Sequence, residues 1–109
     1  MEDDKKEEVF SEFNDCVNMQ PKELEDWLDT EESKSVGDSD SGESTGHKSG
    51  RRIVEIKHTN KADLTDSQWE HMQKVVGYTH RHKAQKPSGD LEDSNWRYSL
   101  MNWGHDPLK

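Results

Sequence analysis

The stretch LTDSQWEHMQKVVGYTHRHK, residues 64–83, decides the fold because it specifies where the longest helix begins. Thr65 and Gln68 have the T-x-x-Q spacing of a capping box, in which each side chain accepts a hydrogen bond from the other residue's backbone N–H. Leu64 precedes the cap and Trp69 follows it, as the two partners of a hydrophobic staple do. The stretch therefore predicts a helix that starts directly after Thr65.

The body of this helix runs from Asp66 to about Gln85 and ends before Pro87, which disfavours helical backbone at the residue ahead of it. Gly77 lies in the middle and costs roughly 1 kcal/mol relative to alanine, so we expect it to mark a close helix crossing. The residues predicted to share one apolar side are Trp69, Met72, Val75, Val76 and Thr79.

The segment that follows Pro87 predicts one more helix. Ser94 can cap this helix, and Gly104 and Pro107 follow its end. Its apolar residues recur at i, i+4 and i+7, namely Trp96, Leu100 and Trp103. Because the segment is so aromatic, we expect it to pack against the helix of residues 66–85 rather than to remain a free tail.

Two helices are predicted on the N-terminal side. Residues 5–17 predict an amphipathic helix, because the apolar residues recur at helical spacing, namely Val9, Phe10, Phe13 and Val17. Pro21 suits the first turn of a second helix, whose apolar residues are Leu24, Trp27 and Leu28. We expect residues 1–8 to be a disordered acidic N-terminus and residues 9–109 to form one small helical domain.

Residues 33–50 are rich in Ser, Thr and Gly and predict a flexible loop within that domain. Ser49 or Gly50 can then cap a short helix over residues 51–58, with Ile53, Val54 and Ile56 as its apolar residues. These β-branched residues also suit a strand, so both structures stay open for this run. The whole pattern predicts an all-α fold of four or five short helices.

The composition allows only a small core. Charged residues make up 36% of the 109 residues, and the mean hydropathy is −1.33, which approaches the composition of a disordered chain. Four tryptophans argue for folding, because each can bury roughly 150–250 Å². We therefore expect one domain with a small aromatic-rich core.

Several classes of function find little support in the residues. Cys16 is the single cysteine, which excludes an internal disulfide, and its acidic neighbours disfavour a reactive thiolate. His80 and His82 are two residues apart, so on a helix they point in different directions. We therefore interpret them as solvated side chains rather than as metal ligands. We expect no enzymatic activity, no cofactor, no metal and no membrane span, and a cytoplasmic protein that is nucleoid-associated, or nuclear in a eukaryote.

The charge is distributed unevenly along the chain. Residues 1–46 carry 16 acidic and 4 basic groups, whereas residues 47–86 carry 9 basic and 4 acidic groups. Lys48, Arg51 and Arg52 fall at the predicted start of the short helix, where the helix dipole is positive and phosphate groups bind readily. The full set of predicted nucleic-acid-binding residues is Lys48, Arg51, Arg52, Lys57, Lys61, Lys74, Arg81 and Lys83.

An internal pairing is the alternative for the two arginines. Asp38, Asp40, Glu43 or the acidic first helices could neutralise the guanidinium groups of Arg51 and Arg52 without any external ligand.

Several segments resemble a known family. PKELEDWL, EESKSVG, ESTGHKSGRRIVEI and WRYSLMNWGHDPLK are similar to segments of a family of small uncharacterised bacterial and fungal proteins, some labelled DNA-binding, over residues 13–109. A weaker resemblance is to the SAP, or helix-extended loop-helix, motif of DNA-binding modules. In that motif Leu24 and Leu28 would lie on the first helix, and Ile53, Val54 and Ile56 on the second.

The prediction for function is a non-enzymatic accessory protein that binds nucleic acid, in the first place DNA, through its phosphates. The alternative is a protein-interaction or stress-associated adaptor that holds a protein partner with its acidic N-terminus and aromatic C-terminal segment.

Overall fold

The computed structural model describes residues 1–36 and 45–109, and this part of the chain is helical without strands. The all-α prediction is confirmed. A short 3₁₀ turn, Lys61–Asp63, precedes the longest helix. The α-helices of the described residues are α1 (Asp3–Cys16), α2 (Pro21–Leu28), α3 (Glu31–Ser35), α4 (Thr45–Lys57), α5 (Asp66–Lys83) and α6 (Asn95–Asn102).

The helices enclose one core. α1 lies along α5, α2 lies along α4, and α6 contacts α2, α3, α4 and α5. Side chains with at most 2% exposure come from every long helix and include Val9, Phe13, Leu24, Ile53, Met72, Val75 and Leu100. Within the described residues, no helix has the length and apolar character needed to cross a membrane.

The capping box of α5 forms as predicted. Gln68 N donates to Thr65 Oγ1 at 3.1 Å, and Thr65 N donates to Gln68 Oε1 at 2.9 Å. α5 begins at Asp66 and ends at Lys83, two residues before the predicted end. The predicted apolar side of this helix is buried, including the hydroxyl-bearing Thr79.

The predicted loop over residues 33–50 is partly wrong. α3 covers residues up to Ser35 and is capped by Thr30, whose Oγ1 accepts from Ser33 N at 3.1 Å. α4 begins at Thr45 rather than at residue 51, and residues 37–44 lie outside the described part. Ser49 and Gly50 are buried, so the small residues that resemble a loop in sequence serve close helix packing instead.

The N-terminal residues differ from the expected disorder in a similar way. α1 begins at Asp3, so most of residues 1–8 is helical. The ammonium group of Lys6 lies 5.5 Å from the ring centroid of Trp69, and Lys61 pairs with Glu7. These contacts attach the first turns of α1 to the region around the start of α5.

The close helix crossing occurs at Gly50, and the prediction that placed it at Gly77 is wrong. A Cβ atom added to Gly50 would lie 2.6 Å from the Asn102 carbonyl oxygen and 2.6 Å from Leu28 Cδ2. A Cβ atom on Gly77 would approach only Arg81 Nη1, at 3.1 Å, at the far end of a flexible side chain. Gly50 thus allows α4 to approach α2 and α6 closely.

Asn102 joins three helices through a buried polar node. Its Oδ1 accepts from Trp27 Nε1 on α2 at 2.8 Å and from the Ser33 hydroxyl on α3. Its Nδ2 donates to the Ser33 carbonyl oxygen at 3.0 Å. Asn102 and Ser33 are at most 1% exposed, so water cannot easily replace these bonds.

The segment after α6 folds back onto the connection between α1 and α2. Gly104 adopts φ +78°, and its carbonyl oxygen accepts from Met19 N at 3.2 Å. Asn18 exchanges two hydrogen bonds with the backbone of Asp106, at 3.0 and 2.8 Å. Arg97 binds both carboxylate oxygens of Asp106, at 3.2 and 3.1 Å, and helps to hold the pKa of this buried carboxyl below its usual value.

Candidate anion-binding site

A cavity of about 360 Å³ lies where the first turn of α4 meets α5 and α6. Two cationic side chains and several hydrogen-bond donors face it, and no carboxylate among the described residues lines it. We refer to it as the donor pocket, and the residues that line it are Thr45, Gly46, Lys74, Tyr78, Arg81, Ser99, Asn102 and Trp103.

Helical periodicity places the α5 residues of the donor pocket on one side. Lys74, Tyr78 and Arg81 are related by i, i+4 and i+7, so their side chains point toward the same neighbours. Burial raises the pKa of the Tyr78 hydroxyl, and the adjacent Ser99 hydroxyl lowers it in part. Tyr78 therefore stays protonated at neutral pH and can donate a hydrogen bond.

Tyr78 and Trp103, which line the donor pocket, belong to a column of four stacked rings. Trp103 is central: its ring centroid lies 4.1 Å from that of Tyr78 and 6.1 Å from that of His71. Tyr78 in turn stacks on His82 at 5.2 Å, and all three interplanar angles are below 20°. Tyr78 and Trp103 therefore each stack on two other rings of the column.

His71 lies beneath the cations of this region and remains neutral. Burial is the largest cause, and the positive charges of Arg52 and Lys74 add to it, so the pKa of His71 is about 4. Its Nε2 is hydrogen-bonded to Ser49 Oγ at 2.9 Å, which connects α5 to α4. The charges of Arg52 and Lys74 thus act on the same ring.

Lowering the pH from 6.5 to 5 is expected to reduce the free energy of unfolding by about 1.5 kcal/mol through His71. The ring titrates near pH 4 in the folded protein and near pH 6.5 in the unfolded chain. Between these values the unfolded chain binds the extra proton, so stability is lost as the pH falls. Urea unfolding at a series of pH values measures this slope.

The matched variants for this titration are His71→Gln and His80→Gln, which change a buried and an exposed histidine of the same helix. The first should flatten the pH dependence and the second should leave it unchanged. Some slope should remain in both, because burial also lowers the pKa of His82 and of His105. Equal slopes for the two variants would contradict the assignment to His71.

The structure brings only part of the predicted basic set together. Lys74 and Arg81 line the donor pocket. Arg52 lies farther along the groove between α4 and α5, where its Nη2 donates to Ser67 Oγ at 3.2 Å. Lys48 is exposed on α4, one turn after Thr45. Of these four cations, two lie on α4 and two lie on α5.

The expectation that Arg51 and Arg52 occupy a helix start is wrong. α4 begins at Thr45, so both arginines lie about two turns into the helix, where the dipole effect of the terminus has faded. Successive residues point about 100° apart on a helix. Arg51 accordingly lines a groove with the α2 carboxylates Glu25 and Asp26, whereas Arg52 points toward α5.

Lys57 and Lys61 serve contacts with α1 instead of the predicted site. Lys57 Nζ donates to Asn14 Oδ1 at 2.6 Å, and its partial burial lowers its pKa. Lys61 pairs with Glu7 and lies 4.6 Å from the ring centroid of Phe10. The pairing of the arginines with acidic residues at positions 38, 40 and 43 falls outside the described residues.

Lys83 lies at a smaller cavity of about 160 Å³ next to Cys16. There, burial raises the pKa of the Cys16 thiol, and the negative charges of Glu12 and Asp15 act in the same direction, as their positions in the sequence suggest. His82 differs from the expected solvated histidine, because it is half-buried against Tyr78. Within the described residues, no cluster of three or more His, Cys, Asp or Glu side chains has the arrangement of a metal site.

Sequence reasoning missed the uncharged part of the donor pocket. Nothing in the sequence indicates that Gly46, in the predicted loop, meets Trp103 on the predicted last helix across 57 positions of the chain. The spacing of Lys74, Tyr78 and Arg81 was visible in the sequence and is the one local signal that points to this side of α5.

The comparisons with known proteins identify a family. Residues 12–101 match the family described as "Protein of unknown function (DUF3140)". Neither the curated proteins nor the solved structures gave a match to the chain. The matched range contains most of the donor pocket, and Asn102 and Trp103 follow it directly. The chain therefore belongs to the DUF3140 family of proteins of unknown function.

Proposed function

We propose that the protein binds nucleic acid, in the first place DNA, as a non-enzymatic accessory protein whose donor pocket contacts phosphate oxygens. The observation that carries this proposal is the combination of Lys74 and Arg81 with neutral donors in a cavity that no described carboxylate lines. Arginine and lysine beside backbone and side-chain N–H groups are the usual partners of phosphate.

The distribution of charge supports the same surface. The chain carries a formal net charge of −9, which opposes general attraction to a polyanion. The acidic excess, however, lies in residues 1–46, whereas the cations of the proposed surface lie on α4 and α5. Arg52 extends the basic line from the donor pocket along the α4–α5 groove. Binding by this surface would be local and sensitive to salt.

The adaptor alternative receives no support from a specific contact. Trp103 is 4% exposed, and Trp96 Nε1 donates to the His82 carbonyl oxygen at 2.7 Å. The aromatic C-terminal segment is thus used within the fold. A Trp103→Ala substitution would therefore reduce the stability of the fold, so the loss of a partner in this variant would not identify a contact surface.

The variant Lys74→Gln, Arg81→Gln is expected to weaken binding of a fluorescein-labelled DNA duplex by about tenfold or more at low salt. For the unchanged protein, the logarithm of the affinity should fall linearly with the logarithm of salt concentration. Removing two phosphate contacts should reduce that slope by about 2. Fluorescence anisotropy across a salt series measures both quantities.

The matched control is Lys22→Gln, Lys34→Gln, which removes the same charge from exposed positions on α2 and α3. This control should change affinity only slightly. Absence of binding at low salt would contradict the proposed function. An equal loss in the two double variants would assign the effect to net charge and would contradict a role for the donor pocket.

A further inference from the structure

We propose that the donor pocket is built for a terminal phosphate, the monoester at the end of a nucleic-acid strand, rather than for the internal diesters of the backbone. This inference rests on the proposed function and names the group that the pocket selects. It follows from an indole N–H at the inner wall, the adjoining helix start and the two cations.

The indole N–H of Trp103 is a donor without an acceptor in the described part of the chain. Trp27 Nε1 donates to Asn102 Oδ1, and Trp96 Nε1 donates to the His82 carbonyl oxygen. Trp103 is 4% exposed and lines the donor pocket. The indole N–H reaches the cavity rather than being fully enclosed, so it can donate to an acceptor that enters there.

The first turn of α4 adds further donors at the same place. Trp103 Nε1 lies 3.2 Å from the position that a Cβ atom on Gly46 would occupy, so the indole meets the backbone of this turn directly. The first N–H groups of a helix have no partner within the helix, and α4 has 13 residues. A glycine at this position leaves room for the indole N–H beside the first turn of α4.

The charges favour a dianion. Lys74 and Arg81 both line the donor pocket and can neutralise two negative charges. A terminal phosphate carries about −1.5 to −2 near neutral pH, whereas each internal diester carries a single negative charge. The monoester therefore gains more from the same pair of cations.

The depth of Trp103 provides the second ground for selection. An internal diester has a sugar on each side and offers two free oxygens, so it can reach exposed cations but not an indole that is 4% exposed. A terminal phosphate has one substituent and three free oxygens, and it fits a cavity of about 360 Å³. Trp103 is 4% exposed and already stacks on Tyr78 and His71, so it offers a base little stacking surface.

The test compares two DNA duplexes of one sequence, with a 5′-phosphate or a 5′-hydroxyl, by anisotropy and by the indole N–H signals in ¹H–¹⁵N spectra. The phosphorylated duplex should bind about tenfold more tightly, as expected from one or two extra charge-assisted hydrogen bonds. It should also shift the Trp103 indole signal more than the signals of Trp27 and Trp96. Inorganic phosphate at millimolar concentration should shift the same signal.

Two variants remove the preference by different routes. Lys74→Gln, Arg81→Gln removes the charges, and Gly46→Ala places a methyl group against the indole N–H while favouring the helix. Both should bind the two duplexes equally. If the unchanged protein binds the 5′-phosphate and the 5′-hydroxyl duplexes equally and in a salt-dependent way, this inference is overturned and the proposed function is not. A preference that survives both variants also overturns it, and no binding to either duplex overturns the proposed function and the inference together.

Discussion

Replacing Asn102 by alanine is expected to lower the free energy of unfolding by about 4 kcal/mol. The change removes the acceptor of the Trp27 indole and of the Ser33 hydroxyl, and the donor to the Ser33 carbonyl oxygen. Each buried polar group left without a partner costs about 1–3 kcal/mol. Urea unfolding followed by tryptophan fluorescence measures the loss, provided that the dependence on denaturant is unchanged.

The control for this variant is Asn95→Ala, the same substitution at an exposed position in the first turn of α6. It should change the free energy of unfolding by less than about 0.5 kcal/mol. A loss below about 1 kcal/mol for Asn102→Ala would show that the node does not hold α2, α3 and α6 together.

Replacing Gly50 by alanine is expected to lower the free energy of unfolding by about 3 kcal/mol, although alanine favours helix. The new methyl group would lie 2.6 Å from the Asn102 carbonyl oxygen, which belongs to the backbone and cannot turn away. α4 would have to move from both α2 and α6. Thermal and urea unfolding of the variant measure the loss.

Gly77→Ala is the matched control, because this glycine lies on α5 and meets only the end of the Arg81 side chain. The substitution should raise the free energy of unfolding by up to about 1 kcal/mol, through helix propensity. Opposite signs for the two variants are the expected result. A stabilising Gly50→Ala would contradict the close crossing.

The parts of the fold that the sequence predicts well are those specified by neighbouring residues. The start of α5 depends on Thr65 and Gln68, three positions apart, and the start of α6 depends on Ser94, whose Oγ accepts from Arg97 N at 3.1 Å. Such local bonds are visible in a linear sequence. All-α architecture follows from them and from helical spacing of apolar residues.

The start of α4 is misplaced because its small residues act through distant partners. Ser49 bonds His71, and Gly50 fits between Leu28 and Asn102. A run of Ser and Gly has the composition of a loop unless these partners are known. The close crossing predicted at Gly77 is wrong for the same reason, because the position of a glycine in a helix does not show which residues lie beside it.

The candidate site is predicted in part for a related reason. Lys74 and Arg81 belong to the predicted set because they are basic, whereas Lys57 and Lys61 are basic but bind Asn14 and Glu7. Those partners lie 43 and 54 positions away in the chain. Charge alone cannot separate a cation that faces a cavity from one that secures α1.

The hydrogen bonds around Gly104 and Asp106 have a consequence for biosynthesis. Asn18 and Met19 find their partners 88 and 85 positions later, so the connection between α1 and α2 stays unfastened while the ribosome makes the intervening chain. A nascent chain arrested before residue 104 would lack this closure and would expose the core around Val17 to proteases. Closure of the domain therefore requires the synthesis of residues 104–106.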